Sequence, residues 1–215
     1  MGTELQHATA ADRIRNVPDV AGEWYVDVVT WAHTTPGLVQ AFMKHFTEFG
    51  IVVLAAIWAL AWWRARAAPA RTMALAFGGA VGVVLSYGLS EWAKTYLDAE
   101  RPCRTFSDLS IIAGECPPTG DWSFPSNHST IAGALLVAIL LVNRRLGLIA
   151  LPIAALAAFS RVFVGVHYPH DVVAGLLLGV AGTAVVALFS AGPLTTLVTS
   201  LRRHPRVGPL LSTIP

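Results

Sequence analysis

The chain divides into long apolar runs separated by short polar stretches. Five runs, at 46–63, 72–92, 127–142, 146–166 and 172–191, each carry at most one Asp, Glu, Lys or Arg. Crossing a hydrocarbon core takes roughly 20 helical residues at about 1.5 Å each, and most of the runs are of that order. None alternates apolar and polar residues as barrel strands do, and a lipid-exposed backbone must satisfy its own hydrogen bonds, so the predicted elements are helices. The fold class is therefore all-α, an integral membrane bundle of about five transmembrane helices. Gly78 with Gly82, and Gly175 with Gly179, place small residues four apart, a spacing that lets helices approach closely and points to packing within one bundle rather than to dimerisation.

The remainder of the chain is more polar. Residues 1–22 lack the apolar core of a signal peptide, and Gln6 stands where a myristoylation motif has Ser or Thr. Across 23–45, Trp24, Tyr25, Val28, Trp31, Leu38 and Phe42 are interspersed with polar residues around Pro36, which predicts an interfacial helix or hairpin. The predicted organisation is an interfacial segment over 1–45, a transmembrane domain over 46–200 and a basic cytoplasmic tail over 201–215.

Composition excludes the alternatives to a membrane protein. With 54% hydrophobic residues, 13% charged and a mean hydropathy of +0.58, 215 residues cannot all fold around one soluble core. A net charge of +2 gives no footing for nucleic acid. The expected partners are the bilayer and a lipid in it. Five spans place the polar connections alternately on two sides. One side carries Arg64, Arg66, Arg71, Arg144, Arg145, Arg202, Arg203 and Arg206 with no acidic residue, whereas all 13 Asp and Glu fall on the other. By the positive-inside rule the arginine side is cytoplasmic, and the side holding the loop 94–126 and the turn 167–171 faces out. Cys103 and Cys116 lie in that outward loop, where an oxidising compartment allows a disulfide, two free thiols being the alternative.

The residues able to do chemistry gather on the outward side. Lys94 and Arg101 follow the second run, Pro125-Ser126-Asn127-His128 opens the third, and Ser160-Arg161 with His167 and Asp171 brackets the turn between the fourth and fifth. Three cations, two imidazoles, a serine and a carboxylate at a membrane interface are costly to desolvate unless an anion binds them. A phosphate group meets those needs. Lys94, Arg101 and Arg161 neutralise its oxygens, while Ser126 and the N–H groups around Asn127 sit where a helix begins. One imidazole attacks phosphorus, the other protonates the departing oxygen, and Asp171 orients His167.

Lys94-x6-Arg101-Pro102, Pro125-Ser126-Asn127-His128 and Ser160-Arg161-x5-His167-x3-Asp171 resemble the three signatures of the type 2 phosphatidic acid phosphatase superfamily, over roughly residues 72–190. The resemblance implies His167 as nucleophile, Asp171 as its partner, His128 as leaving-group acid, and Lys94, Arg101, Ser126, Asn127 and Arg161 as phosphate ligands. It implies no metal and no cofactor. Asn127 departs from the signature, which has Gly there; the backbone N–H is kept, and the side chain bears on pocket width or substrate choice.

Each residue also has a plainer reading. Lys94 and Arg104 suit interfacial anchors, and Asp171 suits a helix cap. His170 suits a structural place at the pocket rim, and His7, His33, His45 and His204 fall outside the constellation. His167, His170 and Asp171 have no matching ligand set for a metal. Trp62 and Trp63 beside Arg64 read as an interfacial aromatic belt. The expected activity is hydrolysis of a lipid phosphate through a phosphohistidine at the extracytoplasmic face of the cell membrane. Resemblance favours a polyprenyl diphosphate of the undecaprenyl type, with phosphatidylglycerophosphate and phosphatidic acid as alternatives. A vanadate-dependent haloperoxidase and a non-catalytic lipid-phosphate binder or transporter are the readings from other classes.

Overall fold

A computed structural model describes residues 19–211, which form eight α-helices and, among the described residues, no strand. They are α1 (Asp19–Thr34), α2 (Gly37–Ala65), α3 (Ala70–Leu97), α4 (Pro102–Thr105), α5 (Asn127–Val142), α6 (Arg144–Phe163), α7 (Pro169–Arg202) and α8 (Gly208–Leu211). The polar stretch before residue 19 and the last four residues of the tail lie outside the described residues.

The helices α2, α3, α6 and α7 are long and apolar enough to cross a membrane, and α5, with 16 residues, is a shorter apolar helix among them. The chain is a multi-pass, all-α membrane protein. Helix boundaries extend the apolar runs at polar ends. Gly37 to His45 form the first turns of α2 instead of a separate interfacial element, because Pro36 supplies the extended residue at which α1 stops and α2 starts. Gln40 closes that turn, its side-chain amide donating to the carbonyls of Ala32, His33 and Thr35 at 3.3, 3.3 and 2.9 Å. At the other end α7 runs past Ala191 to Arg202 through Pro193. Its Thr195 and Thr199 hydroxyls donate to the carbonyls of Ala191 and Thr195, four residues back, so these polar side chains need no solvent.

Two stripes at i, i+4 spacing organise the bundle. Gly78, Gly82, Ser86, Ser90 and Lys94 are buried along one face of α3, and Asp171, Gly175, Gly179, Thr183, Ala187 and Ala191 along one face of α7. The small residues let α3, α5 and α7 pack at close range. A Cβ on Gly82 would lie 2.8 Å from the Cα of Thr183, one on Gly133 of α5 2.6 Å from the carbonyl oxygen of Leu176, and one on Gly179 would run into the carbonyl of Thr130. Both stripes end in a charged residue at the same end of the bundle, Lys94 on α3 and Asp171 on α7. That end also carries α1, α4 and the connection 106–126. Tyr25 of α1 donates to the carbonyl of Gly165 at 2.9 Å, and the Cys103–Cys116 disulfide closes the base of the connection. The arginines of the α2–α3 and α5–α6 turns lie at the opposite end. Arg202 ties α7 to that end, donating to the carbonyl of Ala68 at 2.9 Å.

The glycine contact on α7 is a test of the packing. Gly179→Leu should lower the melting temperature of the detergent-solubilised protein by about 6–12 °C on the scale of about 3 kcal/mol for overpacking. Gly192→Ala, where nothing lies within 4 Å, should leave it within about 2 °C of the parent.

Candidate active site

The residues singled out from the sequence converge at the end of the bundle marked by Lys94 and Asp171. A cavity of about 220 Å³ is lined by Lys94, Arg101, Asn127, His128, Arg161 and His167, with Tyr87, Pro117, Asp121 and Ile131 completing the wall. Four elements deliver the polar groups: the end of α3, the start of α4, the start of α5, and the end of α6 with its turn into α7. The volume holds a headgroup and not a long hydrocarbon tail.

His167 lies in the α6–α7 turn, 1% exposed. Its Nδ1 is 3.4 Å from Oδ2 of Asp171 and 3.4 Å from the Ser123 hydroxyl, while its Nε2 lies in the cavity wall 3.1 Å from a guanidinium nitrogen of Arg101. Asp171 is fixed in turn. Its Oδ2 accepts from the Tyr168 N–H at 2.9 Å and from the Ser123 hydroxyl, so it caps α7 and faces the imidazole at once. Burial pushes the imidazole down, and Arg101 and Arg161 add to that against the opposing pull of Asp171. The result is a pKa of about 3, and His167 is neutral at any ordinary pH. With the Nδ1 proton directed at Asp171, Nε2 is the unprotonated nitrogen, and in a residue that lines the cavity it accepts from Arg101 at 3.1 Å.

Arg101, 3% exposed, is held by nearly all its donors: Nε to the carbonyl of Asp121 at 2.7 Å, one terminal nitrogen to the carbonyl of Val166 at 2.9 Å, and the other to the Asp121 carboxylate at 2.9 Å. Lys94 reaches the same carboxylate at 3.3 Å. Arg161 donates to the Thr47 hydroxyl at 2.9 Å and approaches Glu48 at 3.4 Å, and its buried Nε has no hydrogen-bond partner. His128 Nε2 is 2.9 Å from Glu48. Ser126 caps α5: its hydroxyl accepts from the N–H and hydroxyl of Ser129 at 3.4 and 3.1 Å, and it does not line the cavity. Asn127 Oδ1 accepts from the Ser90 hydroxyl at 2.7 Å and its Nδ2 donates to Glu91, so its side chain is tied back to α3 and its backbone is left at the helix start.

Four residues at this end escaped the sequence reading. Glu48 had a visible signal, being the one charged residue in the run 46–63. Asp121 and Thr47 had none, and Ser123 lies among polar loop residues that give it no distinction. Arg104 is placed away from the cavity, bonded to Glu100 at 2.7 Å and to the carbonyl of Pro117. His170 stacks on Phe124 and on Tyr168, its Nε2 3.2 Å from Oδ1 of Asp171, and does not line the cavity. His33 bonds the carbonyl of Ser110 at 2.7 Å, and His45 lines an apolar surface groove on α2. Among the described residues no group of three or more His, Cys, Asp or Glu is arranged to hold a metal.

Comparison with known proteins fits this geometry. The profile of the PAP2 superfamily matches residues 71–193. Undecaprenyl-diphosphatase BcrC of Bacillus subtilis is 33% identical over 145 residues, which are 66% of this chain and 70% of that protein. Decaprenylphosphoryl-5-phosphoribose phosphatase of Mycobacterium tuberculosis is 32% identical over 163 residues, 73% of this chain and 83% of that protein. The fold is shared with the crystal structure of a transmembrane PAP2 type phosphatidylglycerolphosphate phosphatase of Bacillus subtilis, at a TM-score of 0.60 and 21% identity over 84% of this chain and 90% of that one. With the matched segment covering more than half of its length, the chain is a multi-pass membrane lipid phosphatase belonging to the PAP2 superfamily.

Proposed function

We propose that the enzyme hydrolyses the terminal phosphate of a membrane lipid, with polyprenyl diphosphates as the preferred class, through a covalent phosphohistidine on His167 and without a metal ion. The observation that carries this reading is the division of labour on one imidazole lining the cavity: Nδ1 faces a buried, doubly anchored carboxylate, and Nε2 is left unprotonated, held by an Arg101 N–H that an incoming phosphoryl oxygen can take over.

The steps follow from that geometry. Nε2 of His167 forms a bond to phosphorus as the bond to the lipid oxygen breaks, and His128 gives that oxygen a proton. Lys94, Arg101 and Arg161 hold the equatorial oxygens, joined by the Asn127 N–H at the start of α5, while Ser126, whose hydroxyl accepts from Ser129, fixes that helix start from behind the cavity wall. Water then gives a proton to the now neutral His128 and attacks phosphorus, the P–N bond breaks, and His167 returns to its starting state as phosphate leaves. Fixed cations do the work of charge stabilisation, which is why the mechanism calls on no metal.

The tail stays outside a cavity of about 220 Å³, so chain length changes little when a lipid leaves the bilayer for the site, and discrimination falls on the headgroup. A diphosphate offers three cations more charge than a single ester and a better leaving group. Similarity to the undecaprenyl and decaprenyl enzymes supports the same class. Charge supports an orientation with the site on the extracytoplasmic face of the cell membrane: the eight arginines lie at the end remote from the cavity, and the positive-inside rule favours the cytoplasm for that end.

Side-by-side kinetics in detergent micelles should give kcat/KM highest for undecaprenyl diphosphate and a short isoprenyl diphosphate, with phosphatidylglycerophosphate and phosphatidic acid below them and activity kept in excess chelator. Either glycerophospholipid exceeding both diphosphates by about tenfold, or 1.4 kcal/mol, contradicts the substrate class. For orientation, a cysteine replacing Thr119 in the exposed connection should react with an impermeant maleimide on intact cells. Labelling only after the cells are broken inverts the topology.

A further inference from the structure

The free site holds an anion of its own. The Asp121 carboxylate lies 2.9 Å from Arg101 and 3.3 Å from Lys94, and the residue is part of the cavity wall. Its exposure differs sharply from theirs: the Asp121 side chain is 45% accessible, those of Lys94 and Arg101 8% and 4%. Burial works to raise the Asp121 carboxyl, yet the hydrogen bond and charge of Arg101, with Lys94 behind them, hold it below the ordinary carboxylate range, so it is ionised at working pH.

We propose, building on the phosphatase reading above, that Asp121 is a displaceable counter-ion of the phosphate subsite and that it screens lipid headgroups by charge. A phosphomonoester or diphosphate displaces it from Lys94 and Arg101; a phosphodiester does not. The asymmetry of exposure makes the exchange one-sided. The carboxylate can turn into water at little cost, whereas the buried cations must always face an anion. The main chain stays put while the side chain turns. The Asp121 carbonyl accepts from Arg101 Nε at 2.7 Å, and its N–H donates to the carbonyl of Pro118 at 3.1 Å. The stretch before it is anchored by the Cys103–Cys116 disulfide and by Arg104 on the carbonyl of Pro117.

The screening follows from counting charge and oxygens. A phosphodiester brings one negative charge and two free oxygens, the same as the carboxylate it would replace. A terminal phosphate brings up to two charges and three free oxygens, so it gains where the diester breaks even. In a leaflet rich in phosphodiester lipids, bare cations would fill with the wrong headgroup. The same competition helps expel orthophosphate after turnover.

The test compares competitive inhibition by orthophosphate, and by phosphatidylglycerol at rising mole fraction in mixed micelles, for the full-chain protein and its Asp121→Asn, Asp121→Glu and Glu100→Gln variants. Asp121→Asn should lower the orthophosphate Ki about fivefold or more, lower KM with it, and make phosphatidylglycerol inhibitory at fractions the parent tolerates. Asp121→Glu should stay within about twofold of the parent on the same scale. Glu100 pairs with Arg104 outside the cavity and meets Arg101 only at its backbone N–H, a bond that glutamine keeps, so its variant should leave the Ki unchanged. An Asp121→Asn enzyme whose Ki and KM are unchanged or higher overturns the proposal, since Asp121 would then only be holding Arg101 in place. An equal drop in Glu100→Gln overturns it too, by tracing the effect to general surface charge. A parent protein on which neither orthophosphate nor vanadate competes removes the phosphatase reading itself, a result distinct from an unchanged Ki.

Discussion

Three cations set into the end of an apolar bundle have to face negative charge at every stage of the cycle, and the arrangement of that end follows from this constraint. Lys94, Arg101 and Arg161 are each less than 10% exposed, so water cannot neutralise them. In the free protein Asp121 and Glu48 do so from the rim, and carbonyls of Val166 and Asp121 take up the remaining guanidinium donors of Arg101. In the proposed mechanism a phosphoryl group takes over that duty when it binds. Because most donors are already aimed, little reorganisation remains for the transition state, which is the condition under which fixed charges accelerate phosphoryl transfer most.

The same burial sets the chemistry of His167. A solvated imidazole would be partly protonated near neutrality, and the protonated fraction has no lone pair with which to attack. Here desolvation and two nearby guanidinium groups keep it neutral, while Asp171 and Ser123 fix which nitrogen carries the proton. The bundle makes this possible through its small residues. Close packing of Gly175 and Gly179 against the first turns of α5 brings Asp171, the Ser126 cap and His167 within one hydrogen-bonded unit, tied by the Ser126 N–H to the carbonyl of Asp171 at 3.1 Å.

Much of this was legible in the sequence where one residue type has one physical use. The start of α5 at Asn127 coincides with the apolar run because Ser126 is a strong cap, and its end at Val142 because Asn143 caps the next helix through the Leu146 N–H. Lys94, Arg101, His128, Arg161, His167 and Asp171 stand at fixed spacings, and they meet in space. What the sequence hid depends on contacts between distant segments. The first turns of α2 read as interfacial because polar residues around Pro36 interrupt the apolar pattern, and the last run seemed to stop at Ala191 because the self-bonding of Thr195 and Thr199 is invisible in hydropathy. Asp121, Thr47 and Ser123 carry no local mark, since their importance comes only from the cations and carboxylate they meet. Glu48 lies in α2, outside the family-matched segment 71–193, and the partner it gives His128 cannot be found from the signatures alone.

The covalent step is the claim on which the rest of the function turns, and rapid quenching with a 32P-labelled lipid diphosphate tests it directly. The parent enzyme should accumulate an alkali-stable, acid-labile phosphoprotein, His128→Ala should form it more slowly, and His167→Ala should form none. Label that persists on His167→Ala, or that proves alkali-labile as an acyl phosphate would be, contradicts the assignment of His167 as the nucleophile.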